Sequence, residues 1–361
     1  MNNPYDIAIT LTPGITPRMI RLAIAKGYSP EKLFQLTKEE LYVIFGDNLK
    51  AIDAILTKQA FPRVEEELKF IEHYHIQALS YNDAAFPQRL NSSDCNDTPI
   101  VLYYLGKANL NATRSVAIVG TRKATDYGKS ATEKIVQELP SEDITIISGL
   151  AYGIDTAAHL ASRKNNIPTI GVVGHGLDTI YPSQNRMLAR NMIEQQGGII
   201  TEYPSKTPIS PTNFPARNRI IAAMADATIV VEAAKKGGAL ITAQNALDYN
   251  RKLFAVPGRT NDTYSQGCNN LISSRKAQIY ASTEDFFAEM NWEYNHTQNN
   301  FNKLTQEEQH ILEILKCDTG LTKDEIVSKY NFESHKIDTL LLTLEFNDMI
   351  KCLPGGRYKT I

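Results

Sequence analysis

Residues Asn213 to Ala246 read NFPARNRIIAAMADATIVVEAAKKGGALITAQNA, and most of the chain's organisation can be worked out from this stretch. Phe214 and Pro215 precede two arginines, Arg217 and Arg219. ATIVVEA then reads as a short, fully buried strand, and Gly237-Gly238 opens the helix ALITAQNALDYN. A strand that feeds a helix through glycines leaves backbone N–H groups pointing outward, and the helix dipole favours an anion there. A Gly-Gly pair alone reads as no more than a tight turn. Guanidinium groups beside it offer forked donors that match phosphate oxygens, and together the two features predict an anion site.

Outward from that stretch, the same unit repeats. VAIVG, TIISG, PTIGVVG, GIITEY, ATIVVEA and KLFAVPG are short apolar runs between residues 116 and 258. Helical stretches such as KSATEKIVQEL, GIDTAAHLASRK and QNRMLARNMIEQQ separate them. Continuous apolar strands alternating with helices predict a parallel sheet covered on both faces. Right-handed crossovers bring the strand carboxyl ends to one edge, where ligands bind. The expected class is therefore α/β, with an extended Rossmann-like, doubly wound parallel sheet.

The flanks differ from this core. Residues 1–75 predict a small helical module of helix-hairpin-helix or SAM-like type, with Ser29 and Thr37 as N-caps and Thr37 with Glu40 as a capping box. Its hairpin reads Gly14-Ile15-Thr16 in place of Gly-x-Gly, which favours packing over DNA contact. The Rossmann-like domain is expected over residues 76–290, with its core at 112–290 and strands and loops leading in. A polar linker follows at 291–302, WEYNHTQNNFNK. Residues 303–361 predict a winged helix, with capping boxes at Thr305–Glu308 and Thr322–Glu325 and two strands around Pro354-Gly355-Gly356. Its third helix offers Ser334, His335, Lys336 and Asp338, a poor set for reading bases, and suits contact with protein or a spacer role.

Composition narrows the function. The 361 residues carry 38 Lys+Arg and 40 Asp+Glu, with 42% hydrophobic residues. Counted by region, net charge is −2 over 1–111, +3 over 112–290 and −3 over 291–361. A protein that grips long duplex DNA by bulk charge would be far more basic, so any nucleic-acid site is a local cluster. No apolar run reaches bilayer length, and MNNPYDIAITLTPG lacks the basic start and apolar core of a signal peptide. Cys95, Cys268, Cys317 and Cys352 are scattered, which argues against a disulfide framework or a zinc site and for a reducing cytoplasm.

Each strand's carboxyl end carries turn residues: Gly120, Thr121 and Arg122; Ser148 and Gly149 in SGLAYGID; VVGHGLDTIYP; the arginine cluster; and GGALITA. GTRKATDYG is not GxGxxG, so no dinucleotide fingerprint is present and no cofactor is expected. Asp155 and His159 have metal-compatible i, i+4 spacing but read better as a local hydrogen-bonding pair, and no metal is expected. Ser148 lacks the GxSxG elbow, and His175 between glycines reads as structural or binding. Glu202 and Glu232 close their strands singly. The edge is equipped to bind and not to react.

These motifs, in this order, resemble the DNA-processing protein A (DprA/Smf) family over nearly the whole chain. VAIVGTRKATDYG, SGLAYGIDTAAH, GVVGHGLDTIYPSQN, TEYP, FPARNRIIAAMA, VVEA, GGALITAQNA and FAVPGRTNDTYSQGCNNLI carry the resemblance. It implies a single-stranded DNA-binding protein, not an enzyme, that protects incoming or processed strands and helps load the RecA recombinase in natural transformation. It also implies a homodimer formed through the Rossmann-like domain. Carried over residue by residue, Arg122 matches the arginine of VG[ST]R, and Phe214, Arg217, Asn218 and Arg219 match FPxRNR. Gly238 and Thr242 match G[GS]xLITA. The arginines would take phosphates and Phe214 would stack on any base, at about 1–3 kcal/mol per base. Family members often place a lysine three residues before the phenylalanine, where this chain has Pro211. Lys206 is the nearest stand-in, and the expected cost is a salt slope shallower by about one unit. The rival reading is a nucleotide-processing enzyme of the phosphoribohydrolase-like Rossmann group. Such enzymes carry PGGxGTxxE, whereas KKGGALITA has no acid at that spacing.

Overall fold

A computed structural model describes residues 3–140, 143–293, 305–316, 320–330, 334–346 and 349–360. It divides into two compact units, residues 1–295 and 296–361.

The first unit opens with six helices: α1 (Pro4–Leu11), α2 (Pro17–Ala25), α3 (Pro30–Leu33), α4 (Lys38–Phe45), α5 (Leu49–Leu56) and α6 (Phe61–His73). Local sequence explains their starts. The Ser29 hydroxyl accepts from Lys32 N–H, and Thr37 with Glu40 closes the full capping box. Proline stands in the first turn of α1, α2, α3 and α6, where its missing N–H has no helical partner to lose. The helical module is not a separate body. Ile7, Ile9, Leu33, Leu41, Ile52 and Ile55 share one core with Ala78, Ile100, Val101 and Tyr103 of the sheet domain. At the hairpin, Gly14 lies at φ +85° and its carbonyl accepts from the Asn48 amide at 2.8 Å.

The sheet has nine strands: β1 (Gln77–Ser80), β2 (Val101–Gly106), β3 (Arg114–Val119), β4 (Ile144–Ser148), β5 (Thr169–Val172), β6 (Gly198–Thr201), β7 (Ala227–Val230), β8 (Lys252–Ala255) and β9 (Gln278–Ile279). Their spatial order is β1-β2-β6-β5-β4-β3-β7-β8-β9. All pairs from β6 to β9 are parallel, while β2 joins β6, and β1 joins β2, antiparallel. The six apolar runs of the sequence are the six central parallel strands; β9 is two residues long and left no readable pattern.

Seven helices cover the sheet: α7 (Asp126–Glu138), α8 (Ile154–Lys164), α9 (Arg186–Glu194), α10 (Asn213–Met224), α11 (Gly238–Asp248), α12 (Gln266–Ser273) and α13 (Thr283–Glu289). Ile135 and Val136 of α7, Ala158 and Ala161 of α8 and Phe286 and Phe287 of α13 pack with Val116, Ile118 and Ile146 on one face. Ile220, Ile221 and Met224 of α10, with Ala243 and Ala246 of α11, pack with Ala117, Val119 and Val230 on the other. Strand order runs outward in one direction from β3 through β4 and β5, and in the other from β7 through β8. The crevice between the carboxyl ends of β3 and β7 is thus the topological switch point, where open α/β sheets take their ligands.

The start of the linker expected at 291–302 is packed into the first unit. Trp292 packs its ring against Phe286 and Phe287, with centroids 5.7 Å away in each case, and the Arg114 guanidinium lies 5.6 Å from it. Residues 294–302 of that segment lie outside the described residues.

The second unit contains α14 (Gln306–Ile314), β10 (Leu321–Thr322), α15 (Lys323–Tyr330), α16 (Ser334–Phe346), β11 (Ile350–Leu353) and β12 (Arg357–Thr360). Ile311, Leu315, Ile326, Ile337, Leu341, Leu344 and Ile350 form its core. The Thr305–Glu308 box is closed, and Thr322 and Glu325 exchange the two bonds of the other. The strands pair antiparallel in the order β10-β12-β11.

Candidate nucleic-acid interface

A cleft of about 690 Å³ opens at the switch point. Its walls come from the turn after β3, the first turn of α10, the turn after β7 and the start of α11. Gly120, Thr121, Arg122, Phe214, Arg217, Asn218, Gly237, Gly238 and Thr242 of the sequence-derived set all line it. Ser148, Gly149, Lys206 and Arg219 do not.

Phe214 is half-buried and has two close neighbours, Arg122 and Tyr181. The Arg122 guanidinium carbon lies 5.4 Å from its ring centroid, and the Tyr181 ring lies 5.4 Å away at an interplanar angle of 36°. The loop that presents Tyr181 is tied down by His175, whose Nε2 accepts from the Tyr181 N–H at 3.2 Å. The other ring nitrogen, Nδ1, bonds to the Gly176 carbonyl at 2.9 Å. Those two bonds require a neutral ring with the proton on Nδ1, and burial lowers the pKa of His175 accordingly. His175 is therefore a structural residue beside the site.

Arg122 is exposed and makes no side-chain hydrogen bond or ion pair among the described residues; the same holds for Lys123 and Lys236, which also line the cleft. These three are cations available to an anion. Next to Lys236, Gly237-Gly238 at the start of α11 also lines the cleft. A Cβ built on Gly237 meets nothing within 4 Å, and on Gly238 only the Asn218 amide at 3.9 Å. By contrast, a Cβ on Gly120 would lie 2.4 Å from Ile154. Gly120 is small because the protein packs against it, while Gly237 and Gly238 are small beside open space.

The two arginines that drew attention in the sequence act differently from the expectation. Arg217 is 3% exposed. Its Nη1 donates to the carbonyl of Gly149 at 2.7 Å and to that of Val172. It thereby joins the turns after β4 and β5 beneath the cleft. Burial lowers its pKa to about 10, against the attraction of Asp155. Its Nε is buried and has no hydrogen-bond partner among the described residues. Arg217 is a floor beam of the cleft and not a free phosphate clamp. Arg219, two residues further along α10, points to the other side of the helix. It forms a two-pronged ion pair with Glu202, at 2.5 and 2.7 Å, and donates to the Asp97 carbonyl at 3.1 Å. A guanidinium so engaged has its donors spent.

Ser148 is fully buried and donates to the Ile118 carbonyl at 2.6 Å, and Gly149 enters only through its carbonyl. Asn218 donates to the Gly238 carbonyl at 3.1 Å, joining α10 to α11. Thr242 is buried one turn into α11 and its hydroxyl faces that same carbonyl at 3.5 Å. Lys206 does not stand in for the family lysine: its ammonium pairs with Glu66 of α6 at 3.0 Å, away from the cleft. Lys123 and Lys236 supply the positive charge instead. Both were visible in the sequence, Lys236 within KKGG, but nothing in a linear pattern shows that two turns far apart in sequence converge.

The remaining acid–base candidates are structural. Asp155 accepts from Ala151 N–H at 3.3 Å. His159 is fully buried, bonds Thr169 at 2.7 Å, and is held neutral by burial, its pKa lowered to about 3. Glu232 accepts from the N–H and hydroxyl of Thr125, at 2.9 and 2.5 Å. Among the described residues no group of three or more His, Cys, Asp or Glu is arranged to hold a metal ion, and no helix is long and apolar enough to cross a membrane.

Fold and cleft together define a class: an extended Rossmann-like domain whose switch point carries unpaired cations, an aromatic pair and a glycine-opened helix start. A model of the family described as DNA recombination-mediator protein A matches residues 77–291. The chain is 36% identical to Protein Smf of Synechocystis over 290 residues, covering 79% of this chain and 72% of that one. It is similar in structure to DNA processing protein A of Streptococcus pneumoniae, with a TM-score of 0.69, 32% identity, and coverage of 81% of this chain and 99% of that one. It is also similar to DNA processing protein A of Helicobacter pylori, solved for its single-stranded DNA binding mode, with a TM-score of 0.53, 30% identity, and coverage of 61% and 97%. The chain belongs to the DNA recombination-mediator protein A family, and its role is that of a DNA recombination mediator.

Proposed function

We propose that this protein binds single-stranded DNA in the switch-point cleft, protects incoming or processed strands, and helps load the RecA recombinase. It acts in the cytoplasm as a homodimer through its Rossmann-like domain, without cofactor or catalytic step. The second unit is proposed as a winged helix serving protein contact, which its element order supports.

The observation that carries the reading is the Phe214 ring, half-exposed and flanked by Arg122 at 5.4 Å, at the mouth of a cleft where Lys123 and Lys236 are unpaired. A ring accepts the face of any unpaired base, and mobile cations follow the backbone, so the site favours single strands without a strict sequence. A paired base has no free face to offer. The H. pylori protein's single-strand binding mode is in line with this.

Fluorescence anisotropy with a labelled oligothymidylate tests it. Phe214→Ala is expected to weaken binding by about 1–3 kcal/mol. Arg122→Ala is expected to weaken it and flatten the salt slope by about 0.7. Unchanged affinity in both variants would remove the cleft from the account.

A further inference from the structure

The switch-point cleft does not end the groove. Tyr264 lines it and also lines a second cleft of about 890 Å³ at the carboxyl ends of β7 and β8. Resting on the single-strand reading above, we propose that this second cleft is a further nucleotide subsite for the same strand. A strand leaving Phe214 crosses Tyr264 and places its next nucleotides against Tyr264 and Tyr127, with Arg259 taking their phosphates.

Three observations support this. The first is continuity: the turn after β3 supplies Arg122 and Lys123 to one cleft and Thr125 to the other, so the backbone of a strand meets the same loop on both sides. The second is the pair of rings. Tyr264 is half-buried, and its carbonyl accepts from Ala233 N–H at 2.6 Å, which fixes it to the turn after β7. Tyr127 is 51% exposed, yet its hydroxyl donates to the Pro257 carbonyl at 2.6 Å, which holds an exposed ring in one place. Ordered, accessible aromatic faces spaced along a groove are the means by which single strands are bound without sequence preference.

The third is charge. Arg259 is exposed and makes no side-chain hydrogen bond or ion pair among the described residues. Two carboxylates also line this cleft. Glu232 is 2% exposed and turned onto Thr125, while Asp262 is exposed at the rim. With one free cation against a rim acid, the second cleft binds more weakly than the first and contributes only when a strand is already held. Its signature is therefore dependence on strand length.

The test compares short and long oligothymidylates, roughly 4 and roughly 16 nucleotides, against the full chain by anisotropy. Arg259→Glu is the decisive variant, because the residue is exposed and belongs to the second cleft alone; Arg259→Gln is the milder companion, and thermal unfolding checks both. Expected is wild-type affinity for the short strand and about tenfold weaker binding of the long one by Arg259→Glu, with a smaller loss for Arg259→Gln. Arg122→Ala should weaken both lengths. Equal binding of the long strand by Arg259→Glu and wild type, with Arg122→Ala impaired, would overturn the second subsite and leave the first intact. An equal loss at both lengths would also overturn it, since Arg259 would then act through the general field. If wild type binds neither length, the reading of the first cleft falls and the second falls with it.

Discussion

Two sets of basic side chains surround the switch point, and they do different work. Arg217 and Arg219 on α10 are committed: one to the carbonyls of Gly149 and Val172, the other to Glu202. Arg122, Lys123 and Lys236 stand on turns, with no side-chain hydrogen bond or ion pair among the described residues. The first set builds the wall that gives the cleft its shape; the second gives it its charge. A buried guanidinium tied to carbonyls or a carboxylate inside the protein is a structural element, whatever its charge, because those bonds offset part of its desolvation. An unpaired cation on a turn costs little to hold and is available to a phosphate.

Substitution separates the sets most sharply at Arg217. Arg217→Ala leaves two carbonyls without their donor and Asp155 without its nearest cation. A loss of about 3 kcal/mol or more in unfolding free energy is expected, and Arg217→Lys should not restore the forked geometry. Arg122→Ala should stay within about 0.5 kcal/mol of wild type in the same unfolding measurement. Equal stability in the two variants would erase the distinction.

Acid tests the wall by another route. The folded-state pKa of His159 is lowered to about 3, and that of His175 is also lowered, so each binds its proton less readily folded than unfolded. Their contribution is complete above pH 6.5 and is lost as pH falls below it, for His159 toward pH 3, by about 1.4 kcal/mol per pH unit for each ring that stays neutral. Burial raises the pKa of Asp155, which works with the opposite sign. The cleaner readout is therefore the difference between wild type and His159→Gln in thermal unfolding from pH 7 to 5: the wild type should lose more stability over that window. Parallel curves would mean that His159 is not held neutral.

The smallest expected effect on stability, and an informative one on binding, is at the helix start. Gly237→Ala adds a methyl where the protein has nothing within 4 Å. Its φ of 174° is ordinary extended backbone, so unfolding should be unchanged. Binding of a single strand should weaken several-fold if a phosphate approaches the α11 amides. Unchanged binding would place the strand elsewhere in the cleft.

How much of this was legible in the sequence follows from what each pattern encodes. The central strands were readable because both faces of a parallel sheet are buried, which leaves short, mostly apolar runs such as ATIVV in which even Thr228 is buried. The capping boxes were readable because they are local. β9 was not, because two residues cannot carry a period. The merging of the N-terminal helices with the sheet was hidden because residues as far apart in sequence as Ile7 and Tyr103 join one core only in space. Arg122, Phe214 and the Gly-Gly turn, singled out from local chemistry, line one cleft in the structure. The different fates of Arg217 and Arg219 were not, since two positions along a helix differ by about 200° around its axis and the sequence does not say which side faces the cleft. Lys206 misled for a related reason: its left-handed backbone, φ +61°, and its partner Glu66 on α6 are both tertiary facts.

Equilibrium binding of one oligonucleotide sequence, presented as a single strand and as a duplex at a series of salt concentrations, tests the cleft most directly. The single strand should bind more tightly at every salt, with a log–log slope of about −2 from three unpaired cations at about 0.7 each. That preference should collapse in Phe214→Ala. A duplex bound as well as the single strand, or a preference untouched by Phe214→Ala, would contradict the assignment of this cleft to unpaired DNA.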